Sequence, residues 1–243
     1  FGANVRELGA YAFEDAQMPV VEIPETLEFY GNSIGLEKTV KIQWDAIAPN
    51  DKALSSNNGW NISATAQQAP LLSSIIIGEN VEYMPNISMD RSIPQFIINS
   101  RNIKGNYVPN AQASIIFGPE VESIDGLFTY HNTLQTIKFP STLKYIGKSE
   151  FQSENFLTVL CGSMTPPQIS NNTFNHVTKV SSTLFVPVGT KSLYESATGW
   201  GEFENIRESP ELGNAAIDDL QINVENGLYE INGNIFLSNH TSV

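Results

Sequence analysis

The chain has 243 residues, 41% of them apolar and 10% aromatic, enough to bury a sizeable core in one large domain or two modest ones. Its 13 Lys and Arg face 26 Asp and Glu, a net charge of −13. This argues against a nucleic acid or an anionic membrane surface as partner, because nothing concentrates positive charge to displace counterions.

No run approaches the roughly 20 apolar residues of a membrane-spanning helix. The single cysteine, Cys161, rules out an intrachain disulfide and a Cys-rich zinc site. It sits in a strand-like Val159-Leu160-Cys161 run and reads as a small buried apolar residue. The chain opens at Phe1 with no Met and no visible signal peptide, so an upstream segment is expected to precede it.

The first β-prone run is in VEIPETLEFYG (21–31), which stops at Pro24 and carries a second apolar group at Leu27. VKIQW (40–44) follows, with Ile42 placed as the equivalent of Ile23. The segment 43–70 fits poorly: it is rich in Asn, Ser and Ala and holds Trp44 and Trp60. It reads as a degenerate coil around Trp60-Asn61-Ile62 or as a loop insertion. The pattern then repeats clearly in SSIIIGENVEYM (73–84), QFIINS (95–100), SIIFGPEVESI (114–124), TIKFPSTLKYI (136–146), LTVLCGS (157–163) and TLFVPVG (183–189).

Aligned on the third strand residue, Ile77, Ile98, Phe117, Phe139, Cys161 and Val186 are equivalent (98−77=21, 117−98=19, 139−117=22, 161−139=22, 186−161=25). A period in this range is that of a leucine-rich repeat. One such coil cannot bury its apolar face alone. Stacked coils share a continuous core, with one short strand each forming a parallel sheet. The Gly or Pro after the strand turns the chain off the sheet, and the second apolar pair, such as Leu143 and Ile146, returns to the core.

After Val186 comes a closing unit. Residues 190–197 are predicted to form a short helix stopped at Gly199. Trp200, Phe203 and Ile206 are large apolar groups suited to cover the raw end of the last coil. From about Pro210 the composition changes. A linker leads to QINVENGLYEINGNIFLSN (221–239), where alternation and two Asn-Gly pairs predict hairpin strands. The expected organisation is therefore a solenoid over 1–209, with its cap unit at 184–206. A linker and the start of a small β module, cut off at Val243, are expected over 210–243.

These repeats resemble the BspA-type leucine-rich repeats of surface proteins from Bacteroides-like bacteria. IPETLEFYG (23–31) and FPSTLKYIGKSEF (139–151) match the Ile-Pro-x-x-Val-x-x-Ile-Gly run of that family, and LGAYAFEDA (8–16) its Gly-x-x-Ala-Phe part. CGSMTPPQISNNTF (161–174) and LFVPVGTKSLYESATGWGEFENI (184–206) resemble the family's closing unit, and the tail resembles the start of the sorting modules of type IX secretion. The resemblance implies a right-handed leucine-rich-repeat solenoid. A parallel β-sheet would line its concave side, with loops, short strands or short helices on the convex side. It further implies a secreted or cell-surface protein at the outer-membrane exterior, adhering to a host or bacterial surface protein or glycan.

No catalytic constellation stands out. His131, His176 and His240 are scattered without metal-ligand spacing, and no phosphate loop or nucleophile elbow occurs. No enzyme activity, cofactor or metal is expected. The strands supply the candidate surface instead. Where alternate residues face the core, the second residue of each strand faces outward. The expected outward column is Glu22, Lys41, Ile76, Ile97, Ile116, Lys138, Leu160 and Phe185. Its candidate ligand-binding residues are Ile76, Ile97, Ile116, Lys138, Leu160 and Phe185, with Lys138 as a charged point that would set register. An apolar stripe of this length is unnecessary for folding and favours association. The competing explanation is that a convex loop, the 43–70 segment or a neighbouring chain covers it. Two other functions compete with adhesion: a structural spacer carrying another domain, and a glycan-binding module using Trp44 and Trp60.

Overall fold

The computed structural model describes residues 4–9, 17–30, 36–47, 61–65, 67–89, 93–105, 114–127, 134–149, 151, 157–175 and 177–212, and the backbone of three strands between 222 and 237. The described strands are short. In chain order they are β1 (Glu7–Leu8), β2 (Val20–Ile23), β3 (Phe29–Tyr30), β4 (Lys41–Trp44), β5 (Asn61–Ala64), β6 (Ser74–Ile77) and β7 (Asn86–Met89). Then come β8 (Gln95–Ile98), β9 (Asn102–Lys104), β10 (Ser114–Phe117), β11 (Ser123–Asp125), β12 (Thr136–Phe139), β13 (Tyr145–Ile146) and β14 (Thr158–Cys161). The last are β15 (Gln168–Ile169), β16 (Thr183–Pro187), β17 (Asn205–Ser209), β18 (Ile222–Glu225), β19 (Leu228–Ile231) and β20 (Asn234–Leu237). A single described helix, α1 (Lys191–Ser196), lies between β16 and β17.

The architecture is a parallel-sheet solenoid. One nine-stranded sheet runs β17-β16-β14-β12-β10-β8-β6-β4-β2, and a four-stranded sheet runs β15-β13-β11-β9. Every pairing in both is parallel, as one strand per coil demands. Between them lies one continuous core. The main sheet contributes Ile77, Ile98, Phe117, Phe139 and Cys161, and the smaller sheet Ile103, Ile124, Ile146 and Ile169. Each such side chain taken from water is worth roughly 1.5–3 kcal/mol, so the shared core, not strand propensity, holds coils this short in place.

The chain leaves each strand in the same way. The amides of Leu27, Val81, Val121 and Leu143 donate to the carbonyls of Pro24, Gly78, Gly118 and Pro140 at 3.1–3.4 Å. These are tight turns of the i to i+3 kind, and they return all four of those apolar residues to the core. Gly105 is required by close approach: a Cβ there would overlap the backbone of Gly126 in the next coil.

The expected solenoid, its turns and its second apolar pairs are present, and two expectations need correction. First, Ile42 is not the equivalent of Ile23. The register pairs Ile23 with Trp44 and Trp44 with Ile77, so Trp44 holds the third inward place. Second, the segment 43–70, read as a degenerate coil or a loop insertion, begins inside β4 with Gln43 and Trp44, and no strand stands between β4 and β6 in the main sheet. The strand that follows, β5, pairs with β7 in a separate two-stranded sheet.

The closing unit forms as expected and then extends further. α1 spans Lys191–Ser196, and Gly199 takes a left-handed φ of 78° just beyond it. Trp200 is fully buried, with its Nε1–H donating to the Pro167 carbonyl at 2.8 Å. Ile206 does not merely cover the last coil. It lies in β17, a ninth strand paired with β16, with Ile206 opposite Leu184.

Candidate binding face

The main sheet has an outer face, turned away from the core, and strict alternation decides what it shows. Register places Glu22, Gln43, Ile76, Ile97, Ile116, Lys138, Leu160, Phe185 and Arg207 in one row across nine strands. All but one of the residues expected in this column are in it. The exception is Lys41, which pairs with Val20 and Ser74 in the flanking row, while Gln43 takes its place. The cause is the two-residue slip at Ile42. A slip of two keeps every side chain on its own face and changes only the row in which it stands.

Exposure divides the row in two. Ile76, Ile97 and Ile116 are half-buried and stand directly opposite one another on β6, β8 and β10. Beside them are the hydroxyl and amide groups of Ser74, Gln95 and Ser114. Towards the other end Lys138 is 3% exposed, and Leu160 and Phe185 are 0% exposed. Their flanking residues Thr136, Thr158 and Thr183 are buried too. Lys138, Leu160 and Phe185 thus occupy the expected row but are closed to solvent. Lys138 does not offer a charge to an incoming partner here. Alternation reads which face a residue is on; it carries no information on what lies over that face.

Of the two tryptophans considered for glycan stacking, Trp44 is removed from that role. Trp44 is 1% exposed, in the core, with its indole N–H donating to the Ala46 carbonyl at 3.2 Å. Trp60 falls outside the described residues. At the carboxyl ends of β2, β4, β6 and β8 a polar cleft of about 300 Å³ opens, lined by Glu25, Gln43, Asp45, Gly78, Glu79, Asn80 and Asn99. Within it the Gln43 side-chain amide donates to Asp45 Oδ1 at 2.8 Å. Among the described residues no group of three His, Cys, Asp or Glu side chains could hold a metal ion.

Two buried ionisable groups belong to the cap. The Tyr194 hydroxyl lies 2.7 Å from the Ser163 carbonyl, to which it donates, and 3.1 Å from Cys161 Sγ. Burial raises the pKa of the Cys161 thiol, and burial together with the neighbouring sulfur raises that of Tyr194. Cys161 is therefore held as a neutral thiol in the core, which is the opposite of what a reactive cysteine needs.

Residues 107–206 match the family model of the BspA type leucine-rich repeat region, in six copies. Over that stretch the chain is similar to BspA-type leucine-rich repeats. The matched stretch covers β10 to the start of β17; the coils before it join the same sheet without matching. Comparison with curated proteins and with solved structures gives no match. BspA-type repeats form protein-interaction or adhesion modules and are typically surface-associated, and a leucine-rich-repeat solenoid is typically a binding scaffold, not an enzyme. No described helix is long and apolar enough to cross a membrane.

Proposed function

We propose that this protein is a non-enzymatic recognition or adhesion protein, secreted or held at the cell surface, that binds a host or bacterial surface protein on the outer face of its main sheet. One observation carries the reading: Ile76, Ile97 and Ile116 form a half-exposed apolar row on three consecutive strands, in direct register. The hydroxyl and amide groups beside the row add hydrogen-bonding capacity, so the patch has the apolar centre and polar rim of a protein interface. The side chains are β-branched and held by paired backbone on both sides, so little conformational entropy is lost on binding. Glu22 and Gln43 continue the row as a polar end.

The test is a pull-down from host and bacterial surface extracts with the wild-type chain and with Ile97→Lys and Ile116→Lys. Circular dichroism and a melting curve would first establish that both variants fold. Both substitutions fall on the outer face, so the expected result is a normal fold with captured protein reduced by tenfold or more, about 1.4 kcal/mol or greater. Undiminished capture by both folded variants would count against this face.

A further inference from the structure

The buried end of the outer face calls for a cover. Leu160 and Phe185 are fully buried but stand apart from the continuous core, which takes Val159, Cys161, Leu184 and Val186 from the same two strands. Leu212, just beyond β17, is likewise buried and outside that core. The burial is that of a single chain, so the chain itself supplies it. It is confined to β12, β14 and β16, while the same row over β6, β8 and β10 is half-open. Within this patch the Thr158 hydroxyl is buried with no hydrogen-bond partner among the described residues.

The chain also holds an element in need of a surface. β18, β19 and β20 form a three-stranded antiparallel meander. Its register assigns Ile222, Val224, Tyr229, Ile231 and Phe236 to one face. Left open to water, an apolar face of this kind favours association with another apolar surface. We infer that the β18–β20 meander docks its apolar face on Leu160 and Phe185, closing the outer face of the main sheet over β12, β14 and β16. Two observations converge on this occupant. The chain leaves the solenoid at the covered end, where Ser209 of β17 pairs with Pro187 of β16. Finally, apolar surface on both partners is what sheet-on-sheet packing needs. The inference stands apart from the proposed binding at Ile76, Ile97 and Ile116, and it sets the limit of the face open to a ligand at β10.

The test uses the full chain with Cys161→Ala and single cysteines at Ser114 and Thr158, both near-isosteric replacements. Thr158→Cys should react with a maleimide at least about tenfold more slowly than Ser114→Cys, since it must wait for a local opening. Adding Phe236→Asp should bring the two rates together. A benzophenone amino acid at Lys138, and separately at Phe185, should cross-link within the same chain to peptides from 222–237. Cross-links to any other segment, cross-links to a second copy, or no cross-link to 222–237 at either position would overturn the docking. So would equal labelling of the two cysteines in the unmodified tail, or protection of Thr158→Cys that survives Phe236→Asp.

Discussion

At the scale of single residues, the cap shows how one buried polar atom can matter beside a large apolar one. Tyr194 is fully buried, and its hydroxyl satisfies the Ser163 carbonyl at 2.7 Å. Tyr194→Phe keeps the ring and its edge contact with Trp200, at 5.5 Å between centroids. It leaves a buried acceptor short of a donor, at a cost of about 1–3 kcal/mol. Trp200→Ala removes the indole that touches Phe139, Phe174 and Tyr194 and should cost about 3–5 kcal/mol. Urea unfolding of the two variants should rank Trp200→Ala as clearly the worse; equal midpoints would mean that the cap does not pack as a unit. Trp200 was legible in the sequence because it sits in a run of apolar groups with no strand to join. Trp44 was not. In VKIQW both Ile42 and Trp44 are valid inward residues, since they lie two apart, and no Gly or Pro after Trp44 marks where the strand ends. The register is fixed by the turns and by pairing with β6, which the five residues alone do not contain.

At the scale of elements, neighbouring coils are joined by charges as well as by core. Arg101 and Lys144 both reach Glu122, at 2.7 and 2.8 Å, from the coils on either side. Lys104 likewise pairs with Glu82, and Lys179 with Glu202, across one coil interval. The hydrogen bonds from Lys144 and then Arg101 hold the Glu122 carboxyl below its ordinary pKa. A folded pKa below the unfolded one means stability that is present above the unfolded value and is lost as pH falls through the folded value. Glu122→Gln should therefore be less stable than wild type at neutral pH, and the difference should shrink on acidification below the ordinary carboxylate range. The three side chains lie at the surface, so the effect is small and fades with salt. Urea midpoints at several pH values and two salt concentrations measure it; a difference constant down to low pH would exclude the linkage. These pairs follow the repeat and could be found by aligning coils. The closure over Leu160 and Phe185 could not, because alternation assigns a face and contact with a distant segment leaves no mark on the period.

At the scale of the whole molecule, the two ends of the solenoid are unlike, and this sets an order of opening. Each coil touches only its neighbours, so stability is close to a sum of coil terms and interface terms. Towards the C-terminal end the core is aromatic. Phe117 and Phe139 stack at 5.3 Å between centroids, and Phe174 meets Trp200 at 5.4 Å. That end is also closed by α1, whose entry is fixed by Glu208: the amides of Gly189, ahead of the helix, and of Lys191, its first residue, donate to its Oε1 at 2.9 and 3.0 Å. At the other end β2 is an edge strand of the main sheet, paired only with β4 among the described strands. Its coil is packed by smaller groups such as Val21, Ile23 and Leu27, and Val20 is 44% exposed. On its outer side that coil meets only the short pairing of β1 with β3 and no further strand of the main sheet among the described residues, so its interface term there is smaller, and β2 should open first and opening should spread inward. Amide hydrogen exchange under native conditions reads this directly. The amides of β2 and β4 should exchange through low-energy local openings, and those of β14 and β16 only near the global unfolding free energy, of order 5–15 kcal/mol. Sub-denaturing urea should narrow the difference, lowering the opening free energy of β14 and β16, whose opening exposes more surface, and leaving that of β2 almost unchanged. Equal protection in all the strands would show instead that the solenoid unfolds as one block, with interface terms large enough to bind the N-terminal edge to the aromatic end.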